Sequence, residues 1–181
     1  MVTDLSNINL GWRLGADRKG SRMQTKQPEH LWFRENRMTI VADADSTGGR
    51  ISVIDTRAPG DSGPPLHRHP NDETFYVLDG EIAFLVDGEI THVRAGECAF
   101  VPGGAAHTFR VVSPEARWLV ICNPAGHEEM FRLAGEPAAG DELPELDGPP
   151  DMQRLMGAAA AVGAEILGPP PAELIGALPS R

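Results

Sequence analysis

Turn signals set the rhythm of this chain and limit what it can fold into. Asp79-Gly80, Asp87-Gly88 and Ala95-Gly96, followed by Pro102-Gly103-Gly104, cut the middle of the sequence into short apolar runs. Those runs are Thr74–Leu78, Ile82–Val86, Ile90–Val93 and Cys98–Val101, with His107–Val112 and Trp118–Cys122 beyond them. They are too short for helices and rich in β-branched and aromatic residues, which favour strands. Upstream, Leu31–Phe33, Met38–Val41 and Arg50–Asp55 read the same way, with Ser46-Thr47-Gly48-Gly49 as a hairpin turn. Short strands with a turn every six to ten residues predict an all-β sandwich or barrel. Many of the runs are apolar on both faces, so the second face needs a cover, either a terminal segment or a second subunit.

At 181 residues the chain is the right length for one core. Residues 1–29 are polar and mixed and read as an N-terminal arm; it carries the only two lysines, Lys19 and Lys26. Residues 30–124 form the β domain, and 125–181 a helical C-terminal extension. In that extension Glu128–Leu133 and Asp151–Val162 read as helices, with Asp151 as N-cap and Gly163 as the stop. A net charge of −10 argues against nucleic acid and anionic membrane as partners. No secretory signal or membrane-length apolar run is visible, which predicts a cytoplasmic protein. Cys98 and Cys122 both sit in apolar runs and are expected to be buried free thiols.

The chemistry concentrates in His67-Arg68-His69-Pro70-Asn71-Asp72-Glu73. On a strand, residues two apart share a face, so His67 and His69 aim two imidazoles into one volume. Pro70-Asn71-Asp72 turns the chain, and Glu73 then shares a face with Phe75 and Val77, which sets its carboxylate above an apolar wall. Further on, Arg110 prefers solvent, and alternation therefore turns His107 and Phe109 inward. His67, His69, Glu73 and His107 become candidate ligands for a first-row divalent ion. His30, His92 and His127 lack a phased partner and are expected to be ordinary surface or capping residues.

These residues resemble the two motifs of the cupin superfamily. The first appears as His67, His69, Glu73 and Gly80; its leading glycine is displaced, because Gly60 stands one residue too early. The second appears as Gly96, Pro102, Gly104 and His107, with Val111 at the place of its final asparagine, a position that is not a metal ligand. The resemblance implies a double-stranded β-helix, the jelly-roll cupin barrel, over 30–124. The stretches Gly63–His67, Glu73–Gly80 and Glu165–Pro170 are also similar to small bacterial quercetinase-like cupins. That likeness implies a metal-dependent dioxygenase in which Glu73, besides binding the metal, takes a proton from the substrate hydroxyl.

Three imidazoles and one carboxylate leave positions open for water, substrate oxygen or O2. Fe, Mn, Ni, Co or Cu suits dioxygen chemistry, and Zn suits Lewis-acid chemistry. Between His67 and Phe109 the only lysine or arginine residues are Arg68, on the face away from the ligands, and Arg94. A phosphorylated sugar usually needs a converging cation. The inner faces offer Phe75, Val77 and Phe109, with Trp118 and Met130 as further lining. The expected ligand is a flat phenolic or enolised aromatic that chelates through oxygen, with O2 as co-substrate. A zinc-dependent polyketide cyclase or isomerase and a non-catalytic ligand-binding cupin are the alternatives. The apolar outer faces predict a homodimer.

Overall fold

The computed structural model describes residues 25–146 and 148–169. Lys19, most of the predicted N-terminal arm and Pro170 of the similar C-terminal stretch lie outside them. The described chain runs β1 (Glu29–Phe33), β2 (Asn36–Ala42), α1 (Ala44–Thr47), β3 (Ser52–Pro59), β4 (His67–Arg68), β5 (Asp72–Asp79), β6 (Glu81–Val86), β7 (Glu89–Arg94), β8 (Cys98–Val101), β9 (His107–Val111), β10 (Glu115–Asn123), α2 (Glu128–Ala134), β11 (Glu136–Pro137), α3 (Met152–Ala161) and β12 (Glu165–Ile166). The strands form two antiparallel sheets, in the orders β11-β1-β2-β3-β10-β5-β8 and β12-β4-β9-β6-β7. This is the predicted jelly-roll.

Alternation builds the interior. In β3 every second residue, Ser52, Ile54, Thr56 and Ala58, is buried. In β5 Glu73, Phe75 and Val77 are buried while Tyr76 and Leu78 are exposed. Between the sheets Phe75, Phe84, Phe109 and Trp118 form a chain of ring contacts with centroids 4.8–5.9 Å apart. Trp118, Phe84, Ile40, Ile54 and Ile82 have almost no exposed surface. Each such side chain contributes roughly 1.5–3 kcal/mol of hydrophobic stabilisation. The turn at Gly80 needs its glycine: φ is 82°, and a Cβ there would come within 2.5 Å of the Glu115 carbonyl oxygen.

Three expectations change. The first half of the predicted turn at Ser46–Gly49 lies within a helical turn, α1. Asp43 caps it by accepting from the Ser46 amide at 3.0 Å, and Gly48 ends it in the left-handed region. Cys98 is exposed, because β8 alternates and turns Ala99 and Val101 inward instead; Cys122 is buried as expected. The C-terminal extension holds both predicted helices, with Asp151 capping α3, but it also adds a short strand to each sheet. β11 pairs with β1, and β12 pairs with β4. No helix among the described residues is long and apolar enough to cross a membrane.

Candidate metal centre

Two short chain segments carry the cluster, and backbone contacts hold them together. β4 is only two residues long, yet it lies between β12 and β9 with His67 directly opposite His107. His69 follows just beyond β4, and the Gly104 amide donates to its carbonyl at 2.8 Å. The Gly103 amide donates to the Asp72 carboxylate at 2.8 Å. Gly103 has no room for a side chain: a Cβ there would stand 2.3 Å from the Pro70 carbonyl oxygen. The Pro102–Gly104 turn is therefore pressed flat against the loop that joins His69 to Glu73.

This arrangement brings three imidazoles together. Ring centroids are 4.2 Å apart for His67 and His107, 5.0 Å for His69 and His107, and 5.5 Å for His67 and His69. Glu73 Oε2 lies 3.3 Å from His69 Nε2 and 3.2 Å from His107 Nε2. His69, Glu73 and His107 are buried, and His67 is partly buried. His67 Nδ1 donates to the Pro65 carbonyl and His107 Nδ1 to the Ala105 carbonyl, each at 2.9 Å. A carbonyl only accepts, so both rings carry their proton on Nδ1 and present the Nε2 lone pair inward. His107 Nε2 and both nitrogens of His69 have no hydrogen-bond partner although they are buried; their approach to Glu73 is close but poorly angled. Buried polar atoms left unpaired are costly, and coordination to a cation would satisfy them. The donor set fits a divalent ion on these grounds.

Known proteins share the sequence pattern and fold of the strand core. Residues 53–122 match the cupin domain family. Over those residues the strand core is similar to a cupin domain. Over 123 residues the chain is 26% identical to quercetin 2,3-dioxygenase of Bacillus subtilis, an alignment that covers 67% of this chain and 36% of that protein. An oxalate decarboxylase mutant from Bacillus subtilis superposes with a TM-score of 0.52 at 17% identity, covering 59% of this chain and 31% of the other. The chain thus spans about a third of the length of either relative. The second likeness is one of fold.

The interior of the barrel sets the charge state of the cluster. Burial opposes ionisation of Glu73, but the imidazoles of His107 and His69 outweigh it and hold the carboxyl well below its ordinary range. Burial, aided by the nearby His107, pushes His67 down to about 3, so its ring is neutral and ready to coordinate at neutral pH. For His107 burial is overcome by the Glu73 carboxylate, which favours the protonated ring; Nε2 must give up that proton before it can coordinate. Cys122 Sγ donates to Glu73 Oε1 at 3.8 Å; burial pushes this thiol up, so it stays protonated beside the carboxylate.

The barrel interior takes up most of the predicted lining. Phe75, Val77 and Trp118 are fully packed in the core, and Phe109 is partly buried against it. Met130 lies on α2, half-buried. Arg68 points away as expected and pairs with Glu165 on β12.

His127 is the correction. The sequence suggested a surface or capping histidine, yet its ring is buried, with its centroid 4.4 Å from that of His69. It occupies the N-cap position of α2 but makes no side-chain cap. His69, Glu73 and His127 form a second group of converging donors beside His67, His69 and His107. Nothing in the local pattern flagged it, because it approaches from a helix start and not from a phased strand. His30 is exposed, and His92 is partly exposed and bonded to Glu81 at 2.7 Å, as expected of ordinary surface residues.

Proposed function

We propose that this cupin is a metal-dependent dioxygenase acting on a phenolic, flavonol-like or enolised aromatic substrate. The ligands are His67, His69, Glu73 and His107, and Glu73 is the base. The observation that carries the reading is the position of the Glu73 carboxylate, buried 3.3 Å from His69 Nε2 and 3.2 Å from His107 Nε2, with Phe75 and Val77 next to it on the same strand face. An ionised carboxylate at that place can accept the proton of a bound hydroxyl. Likeness in sequence to a quercetin 2,3-dioxygenase supports the same chemistry. A bound first-row metal would supply the open positions at which substrate oxygen and O2 are brought together.

The residues then divide the work. His67 and His107, each fixed through Nδ1 by a carbonyl, hold their ring orientation without rearrangement. Glu73 removes the hydroxyl proton, so the substrate is held as an anion. A cleft of about 430 Å³ opens between β7 and β8, with Phe84, Val86, Val93, Ala99 and Val101 in its walls and Asp87 and Glu89 at the acidic side. None of the cluster residues lines this cleft; it neighbours them through Val86, the cross-strand partner of His107, and Val101, that of Glu73. Its lining holds no lysine or arginine, which favours a neutral aromatic over an anionic sugar or dicarboxylate.

Two features of the whole chain belong to the same proposal. The outer face of the larger sheet presents Tyr76, Leu78 and Phe100 to solvent, and a second copy would cover them in a homodimer. The two unpaired thiols fit a reducing cytoplasm.

The test is metal analysis of the purified protein, then anaerobic titration with a flavonol, then admission of O2. Spectral perturbation on binding followed by stoichiometric oxygen uptake is expected. Binding with no oxygen uptake would sink the dioxygenase reading, and turnover without oxygen would favour the cyclase. His69→Ala should lower metal content severalfold; full occupancy would refute the ligand assignment.

A further inference from the structure

We propose that His127 is an additional donor to the same metal centre, making it a site of four imidazoles and one carboxylate. The inference rests on the metal-binding reading above. His127 is 5% exposed, and its Nδ1 finds no hydrogen-bond partner among the described residues. The ligating atoms of His69, Glu73 and His127 all lie within 4.8 Å of one another. With ligand bonds of about 2.0–2.2 Å, a single ion can bridge donors separated by roughly that distance after small side-chain shifts.

The surroundings hold the ring at the cluster by construction. Glu128, with no exposed surface, accepts from the Gly126 amide at 2.7 Å and the Ala44 amide at 2.8 Å, which locks the backbone on either side of His127. Asn71, in the loop between His69 and Glu73, donates to the Pro124 carbonyl at 2.7 Å and ties that loop to the turn leading into α2. Phe131 meets the His127 ring edge-on at 5.5 Å and closes its outer side. The carboxylate of Glu128 satisfies backbone amides and leaves the buried His127 Nδ1 unpaired. A buried imidazole nitrogen with this much support and no partner is what a ligand site provides.

Cadmium-113 NMR on full-length protein labelled with 15N-histidine counts the imidazoles directly through their couplings to the ion. Four coupled imidazoles are expected. Three would overturn the inference and leave the metal-binding reading intact, whereas none would remove both. His127→Phe keeps an aromatic ring beside Phe131, and it should reduce the count to three. The same change should weaken zinc binding by about tenfold or more in competition with a chromophoric chelator. Should this variant fail to fold by circular dichroism, the count in the unmodified protein still decides.

Discussion

Single residues carry two different kinds of electrostatic work in this protein. Glu73 is kept ionised by the imidazoles of His107 and His69, at the centre of the cluster proposed to bind metal. Asp43 is kept ionised for structure. Burial disfavours its charge, but Lys26, the Ser46 amide and Arg132 outweigh that and hold its carboxyl far below the ordinary 3.8. Arg132 Nη2 reaches it at 2.7 Å from α2, the helix that begins at His127, and so ties the end of β2 to the segment over the metal centre. A depressed folded-state value means that the stabilisation is complete above the unfolded value and is lost as pH falls below it. Asp43→Asn should therefore cost about 1–3 kcal/mol near neutral pH. The difference from the unmodified chain should shrink as the pH is lowered from about 4 toward 2. Urea titrations of both proteins across that range measure it; a difference that stays constant with pH would show that Asp43 is not the titrating group.

At the scale of elements, the centre depends on two loops that the sheets alone would not hold together. β4 supplies two residues of strand, and β12 covers its other edge through the pairs Arg68 with Glu165 and His67 with Ile166. The remaining precision comes from Gly103 against Pro70 and from the two amide bonds beside it. Gly103→Ala forces those backbones apart and should destabilise the fold by about 1–3 kcal/mol. Because the displaced loop carries His69 and Glu73, metal affinity should fall together with Tm. Calorimetry and chelator competition on the same sample check this, and unchanged affinity in a destabilised variant would show that the loop contact is purely structural.

At the scale of the whole molecule, one sheet closes the core and leaves an apolar outer surface. Phe100 is 60% exposed on edge strand β8, opposite Thr74 and close to Tyr76. If a second copy covers this face, Phe100→Glu should shift the protein from dimer to monomer in sedimentation velocity while metal content stays unchanged. An unmodified protein that sediments as a monomer at all concentrations would refute the dimer. Local pattern determined a good deal of the molecule. The turn dipeptides fixed where strands end, because few residues besides glycine tolerate the backbone of Gly80, Gly88 or Gly96. Period-two alternation placed Glu73 and His107 inside, because the side-chain period of a strand is a local property. The sequence alone therefore determined the jelly-roll and the cluster of His67, His69, Glu73 and His107. Only the tertiary structure decided that His127 lies beside His69 and that Cys98 is exposed. It also decided that the C-terminal segment lends a strand to each sheet. Those facts depend on which surfaces meet across long stretches of chain. A helix start such as that of α2 has no face until the barrel supplies one.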